Sequence, residues 1–375
     1  VICLLGPLFL VGLSLPSDAD PGVPDRWQSL MQAGAAARTA ARYDEAERVL
    51  RLAEQEAERF GSDDVRAAAT WNQLGLVYHA QGRYAVAKTY YERALALWER
   101  VLEEDHDEVA SVLNNLAEIY LEEGELDQAE SFYLRSLAIS ERALGPGHPE
   151  LAIGYNNLAG LYRKQGRLAQ AEAKFRLALT LLEGDSSEAS MDPAPILNNL
   201  AALYKEQGLF AFAEPLYEQA LDLRRARWGT QHPSIAIGLN NLANLYHARG
   251  LSEYADRLYR EALVVSETVV GPDAALTGTI LGNWAWLAHE RGLLEEAGLR
   301  YQRALVIQQE TLGRDHPMLA VILNRYAEWL RESGRIVESG HYAMRAAAIQ
   351  RRQASPSDSR SASRAGSVSQ DAQRR

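Results

Sequence analysis

The sequence predicts an all-α solenoid of short antiparallel helix pairs, on three observations. Gly82, Gly124, Gly166, Gly208, Gly250, Gly292 and Gly334 recur at intervals of 42 residues without a slip. On either side of each glycine the apolar residues recur at helical spacing and form a one-sided stripe, as in Leu116, Ala117 and Tyr120 before Gly124 and Ala129, Tyr133 and Leu137 after it. The stripes also align between intervals. Tyr78, Tyr120, Tyr162, Tyr204 and Tyr246 form one column, Ala87, Ala129, Ala171, Ala213, Ala255 and Ala297 a second, and Tyr91, Tyr133, Phe175, Tyr217, Tyr259 and Tyr301 a third. A fixed period of this size means one supersecondary unit stacked on copies of itself, each burying its stripe against its neighbours.

Each unit reads as helix A, a tight turn, helix B and a longer loop. The periodic glycine falls between the two stripes, where a helix C-cap needs positive φ. Helix B closes on Leu144-Gly145-Pro146-Gly147-His148-Pro149, and Pro149 stands where the next helix begins, a favoured place for proline. The small Ala column allows close helix approach, and the aromatic column fills the space beside it.

The chain ends depart from the pattern. Val1–Leu15 is apolar and uncharged, resembles the core of a secretory signal, and is followed by Ser17-Asp18-Ala19 as a small-x-small cleavage site. Residues 1–19 are therefore expected to be a signal peptide, although the basic leading segment is absent and the first residue is Val, which leaves room for a start further upstream. Export to a periplasmic or extracellular compartment is expected, with a cytoplasmic or membrane-anchored protein as the alternative. Residues 20–25 read as a linker. Residues 26–60 read as a degenerate first repeat, with Tyr43 and Ala46 one residue off the period, and residues 65–350 as seven full repeats. The last two repeats replace the recurrent Asn-Asn by Gly282-Asn283 and Asn324-Arg325, as the ends of a solenoid require. Residues 351–375 are Ser- and Arg-rich with almost no apolar residues, so they are expected to stay disordered.

The pattern Leu-Ala-x2-Tyr, Gly, then Ala-x3-Tyr or Phe resembles the tetratricopeptide repeat, here with eight residues more than the usual 34. Asn114-Asn115-Leu116-Ala117, Asn156-Asn157-Leu158-Ala159, Asn198-Asn199-Leu200-Ala201 and Asn240-Asn241-Leu242-Ala243 look like the kinesin light chain type of that repeat. So do Gly145…His148-Pro149, Gly229…His232-Pro233 and Gly313…His316-Pro317. The heptad coiled coil of a kinesin light chain does not accompany them, so a motor subunit is not expected. The resemblance implies a right-handed superhelix whose concave groove is lined by the A helices, and a non-catalytic scaffold that binds a peptide segment of a partner protein there. A structural part of an envelope assembly, using the outer face, or an accessory part of a larger signalling or enzyme system is the alternative.

Composition narrows the partners. Formal net charge is −11, and the last 25 residues carry six Arg against two Asp, so residues 1–350 carry −15. An acidic body is unsuited to nucleic-acid phosphates or an anionic membrane surface, leaving the N-terminal segment, if retained, as the one expected membrane contact. Four Lys against 35 Arg suggest a GC-rich bacterial genome. Cys3 is the single cysteine, and cleavage after Ala19 would leave no thiol. No small-molecule substrate or cofactor is expected, because no phosphate loop, nucleophile triad or zinc spacing is present.

The candidate site follows from helix geometry. At about 100° per residue, Leu116 and Tyr120 share the packed side, while Asn114 lies on the far side and Asn115 on its flank. Asn costs roughly half a kcal/mol against Ala in a helix, so its recurrence needs a cause. Either Asn115, Asn157, Asn199 and Asn241 bond a ligand backbone in the groove, or they form an inter-repeat ladder. Arg163 and Lys205 would attract an acidic group. Asn244 shares that face, and Trp286, at the position held by Glu118 and Asn244 in other repeats, would serve as an anchor. The remaining tryptophans, Trp228 among them, are expected in packing. His106, His148, His232 and His316 form a loop column whose members stand too far apart, at roughly 10 Å between adjacent repeats, to share a metal, so they are expected to start helices.

Overall fold

The computed structural model describes residues 25–102, 105–183 and 191–354. The predicted signal (1–19), most of the linker and the tail from residue 355 lie outside the described residues. Sixteen α-helices carry the described chain, with no strand among them. They are α1 (Arg26–Thr39), α2 (Tyr43–Ala57), α3 (Val65–Ala80), α4 (Tyr84–Val101), α5 (Asp107–Glu123), α6 (Leu126–Leu144), α7 (Leu151–Lys164) and α8 (Leu168–Glu183). After the gap come α9 (Ala194–Glu206), α10 (Phe210–Trp228), α11 (Pro233–Ala248), α12 (Ser252–Val269), α13 (Ala275–Glu290), α14 (Leu294–Leu312), α15 (Leu319–Glu332) and α16 (Ile336–Ala354). The last helix runs four residues past the expected start of the tail at 351. Among the described residues no helix is long and apolar enough to cross a membrane.

Two compact units are distinguished. Unit 1 comprises Val1–Ala117 and Phe132–Pro146, and unit 2 comprises Glu118–Ser131 and Gly147–Arg375. Within unit 1, α1 pairs with α2 and α3 with α4, and α2 packs on α3. Within unit 2 the pairs are α7/α8, α9/α10, α11/α12, α13/α14 and α15/α16, and each B helix packs on the next A helix. The A helices also touch in sequence, α7 to α9, α9 to α11, α11 to α13 and α13 to α15.

The periodic glycine ends helix A through a six-residue reverse turn. Arg167 N–H donates to Tyr162 C=O at 2.8 Å and Gly166 N–H to Arg163 C=O at 3.0 Å, and Gly166 has φ +75°. The same pair of bonds closes on Gly82, Gly208, Gly250, Gly292 and Gly334. In the degenerate first repeat Ala41 takes this role at φ 56°, the one non-glycine residue with positive φ among those described, with Arg42 N–H on Ala37 C=O at 2.9 Å. A left-handed alanine is strained by its Cβ, so Ala41→Gly is expected to stabilise unit 1 by about 1 kcal/mol in urea denaturation. A loss of stability would show that the turn is not under strain.

The columns seen in the sequence are the core. All six residues of the Ala column are fully buried, and the aromatic column is at most 3% exposed. The Tyr column of helix A is clamped to the B helix before it. Tyr204 Oη donates to Glu172 at 2.7 Å and accepts from Arg176 at 2.8 Å, and Tyr246 Oη donates to Glu214 at 2.6 Å. That carboxylate, with burial second, pushes the Tyr246 hydroxyl up to about 12. Trp98, Trp284 and Trp329 pack as expected. Trp228 does not: it is 46% exposed at the end of α10 and stacks on His232 at 4.8 Å, because helix B ends there and no further turn covers it.

Candidate functional site

A helices of adjacent repeats meet with an offset of one residue, so residue n faces n + 43. In unit 1, Asn115 Nδ2 donates to Asn72 Oδ1 at 2.9 Å. In unit 2, Asn199 donates to Asn156 at 2.9 Å, Asn241 to Asn198 at 3.1 Å and Asn283 to Asn240 at 3.1 Å. Arg325 Nη1 ends the series on Asn283 Oδ1 at 3.3 Å. Asn157 accepts from Asn156 at 3.2 Å. The second Asn of one pair thus donates to the first Asn of the pair before it. Of the two readings the sequence left open, the inter-repeat ladder is present at these positions. Asn115 is 1% exposed, so its amide serves the ladder of unit 1 alone. Asn157, Asn199 and Asn241 are half-buried, and Asn199 and Asn241 each commit one N–H to the ladder.

A second series runs one turn and a half further along the A helices, with the same offset. Arg163 Nε lies 3.8 Å from Glu206, His247 Nε2 2.8 Å from Glu290 and His289 Nε2 3.0 Å from Glu332. Lys205 belongs to this column, but the residue 43 positions on is Ala248, so it has no carboxylate from the next repeat.

The residue two turns before the helix-A turn decides what happens to the hydroxyl of helix B. Asn244 Oδ1 accepts from Tyr259 Oη at 2.8 Å. One repeat earlier the pair is Ala202 and Tyr217, one repeat before that Gly160 and Phe175, and one repeat later Trp286 and Tyr301. Gly160 has nothing within 4 Å of where a Cβ would stand, so the face is open there. Half-buried Trp286 is held edge-on to His289 at 5.9 Å and lies under the Arg325 guanidinium at 4.8 Å.

Burial lowers the Lys205 ammonium below its ordinary range; Glu206 opposes this, and the positive charges of Arg163 and of Arg325, three repeats on, add to it. Arg163, Lys205, Asn244 and Trp286 stand on the A helices α7, α9, α11 and α13 of unit 2, with Asn157, Asn199 and Asn241 half-buried on α7, α9 and α11. Sequence analysis missed Tyr217 and Arg325. The signal for Tyr217 was present in the alignment of Ala202 with Asn244, but its meaning required the Tyr259–Asn244 contact.

The loop histidines bond the backbone just before or at helix starts, and His232 is the N-cap of α11. His106, His148, His232 and His316 accept through Nδ1 from the backbone N–H of Glu108, Glu150, Ser234 and Met318 at 3.2–3.3 Å. Among the described residues no group of three metal-ligating side chains stands together.

The family model of the tetratricopeptide repeat matches residues 66–141, 108–184, 192–268, 234–305 and 276–352. A crystal structure of a Rap protein complexed with Competence and Sporulation Factor is 13% identical, with a TM-score of 0.57 over 88% of this chain and 99% of that one, a likeness of fold. BtubC (BKLC) from P. vanneervenii is 27% identical over 53% of this chain and 80% of that chain, with a TM-score of 0.47. A Podosopora anserina putative kinesin light chain with nearly identical TPR-like repeats is 20% identical over 55% and 98%, with a TM-score of 0.45. No curated protein matches the chain. The chain belongs to the tetratricopeptide repeat family.

Proposed function

We propose that the chain is a non-catalytic scaffold that holds a peptide segment of a partner protein against the helix-A face of unit 2. Members of this fold generally act as interaction scaffolds, without chemistry of their own. The observation that supports the finer proposal is that Arg163, Lys205, Asn244 and Trp286 recur on successive A helices of unit 2, with Arg325 of the next A helix over the Trp286 ring at 4.8 Å. Half-buried amides along that face offer main-chain partners, and Asn199 and Asn241 retain an oxygen and one N–H each after serving the ladder. Trp286, fixed between His289 and Arg325, supplies a rigid aromatic surface of the kind that dominates binding energy.

Peptides selected from a display library on the full chain provide the test. Affinity is expected to fall by roughly tenfold or more in Trp286→Ala, the usual scale for an aromatic anchor. Leu223→Arg, on the exposed face of helix B in α10, is expected to change nothing. Peptides that lose affinity with Leu223→Arg and keep it with Trp286→Ala would place binding on the outer face and refute the groove.

A further inference from the structure

We propose that the outward face of α16 is a second binding surface, taking an acidic amphipathic helix of a partner protein in the place where the array would seat its next A helix. This face is separate from the helix-A face of unit 2 and does not depend on the scaffold reading above.

One repeat earlier, α15 lies on the same face of α14. A Cβ at Gly298 would stand 2.3 Å from the Trp329 indole, and Trp329 Nε1–H donates to Leu294 C=O at 2.9 Å. Tyr326 meets Tyr301 at 6.0 Å between ring centroids, and Leu305 is buried. Forty-two residues on, the positions of Leu294, Gly298, Tyr301 and Leu305 are held by Ile336, Gly340, Ala343 and Ala347 of α16. At about 100° per residue these four fall within about 60° of one another around the helix. No further helix follows α16 among the described residues. Ile336 is accordingly 63% exposed, and Gly340 has nothing within 4 Å of its missing Cβ. Val337 and Met344 flank the same side, 88% and 67% exposed. On the opposite side Ala346 and Ile349 are buried in the core of unit 2. Over about three turns α16 is therefore apolar in both directions, the pattern of a helix buried from two sides. Apolar side chains of this size, exposed together, mark an interaction surface.

The seam and the charge decide the occupant. The face continues the α14–α15 seam, so it fits a helix with an apolar stripe and one large aromatic side chain for the gap above Gly340, as Trp329 fills the gap above Gly298. Residues 355–375 contain one large apolar residue, Val368, and supply no such stripe. Arg351 is exposed at the C-terminal end of α16, and residues 351–375 hold six Arg against two Asp. A second copy would bring the same positive charge to the seam, whereas a helix with acidic residues complements it. An anionic membrane is opposed by the rest of the chain, which carries −15 over residues 1–350.

The probe is a fluorescent synthetic peptide with the sequence of residues 317–334, the A helix that α14 already seats, carrying Arg325→Glu and Arg331→Glu. It is titrated onto the full chain and followed by anisotropy. Saturable binding at one site per chain is expected, with a gain of peptide helicity. Trp329→Ala in the peptide is expected to weaken binding by about tenfold or more, as for an aromatic anchor. The peptide that keeps Arg325 and Arg331 is expected to bind about threefold more weakly. In the full chain, Met344→Glu and Gly340→Leu are each expected to weaken binding by about tenfold or more, the first by placing a charge on the face and the second by filling the gap. Both positions are open, so the melting temperature is expected to hold and loss of fold is distinguished from loss of the surface. Trp286→Ala is expected to leave this binding unchanged, which separates the α16 face from the groove. Absence of saturable binding, or binding indifferent to Gly340→Leu and Met344→Glu, overturns the proposal. A dimer in sedimentation that Met344→Glu dissolves would seat a second copy on the face and overturn it as well. So would binding to vesicles of phosphatidylserine and phosphatidylcholine that Met344→Glu abolishes, in a chain that ignores the peptide.

Discussion

Gly298→Ala is expected to lower the stability of unit 2 by about 3 kcal/mol, at the upper end for overpacking a core. The glycine lies on α14, and a Cβ there would stand 2.3 Å from Cζ2 and 2.7 Å from Cη2 of Trp329 on α15. The indole has nowhere to retreat. It stacks on Tyr326 at 5.4 Å between centroids, its Nε1–H donates to Leu294 C=O at 2.9 Å, and it is 7% exposed. Any shift that relieves the clash gives up that hydrogen bond and the contact between α14 and α15. Gly340 provides the control, because it is the same position one repeat later and has nothing within 4 Å of its missing Cβ. Gly340→Ala is therefore expected to gain about 1 kcal/mol from helix propensity. The measurement is urea denaturation followed by tryptophan fluorescence, comparing midpoints at unchanged slope. Equal effects of the two substitutions would mean that the indole is not locked in the glycine notch.

The fold was legible because its determinants are local and repeated. Gly166 announces a turn by its own backbone freedom, Ala171 and Phe175 announce a packed seam by their size, and His148 before Pro149 announces a helix start. The site was only partly legible, because its chemistry depends on the one-residue offset between adjacent A helices. A 42-residue alignment sets Asn157 beside Asn199, yet the contact runs from Asn199 to Asn156. That offset arises from how the helices lie against each other, which no single repeat encodes. The same offset decides that Arg163 meets Glu206 while Lys205 meets Ala248. Ala41 was hidden for a different reason: its strained turn sits one residue out of register in a repeat that lacks the glycine.

The simultaneous replacement of Asn115, Asn157, Asn199 and Asn241 by Ala is expected to lower the melting temperature, although each substitution improves helix propensity by about half a kcal/mol. The opposing cost is larger. Removing Asn115 leaves Asn72 Oδ1 without its donor, and removing Asn199 and Asn241 does the same to Asn156 and Asn198. Asn72 and Asn198 are 7% and 8% exposed, so water replaces little of what is lost. A buried polar group left unsatisfied costs about 1–3 kcal/mol, against that half. Asn115 isolates the structural share, because it has no surface for a ligand. Asn115→Ala is expected to destabilise unit 1, whereas Asn72→Leu with Asn115→Leu, which removes donor and acceptor together, is expected to be nearly neutral. Asn199→Ala and Asn241→Ala carry the functional share, read as affinity for a display-selected peptide. A quadruple variant with a lower melting temperature and weaker binding beyond its fraction unfolded assigns the Asn columns both tasks. A lower melting temperature with unchanged affinity of the folded protein confines them to the ladder and removes Asn157, Asn199 and Asn241 from the binding face. A higher melting temperature would mean that the ladder contributes nothing to folding, and the cost of keeping Asn in these helices would then have to be met by the ligand alone.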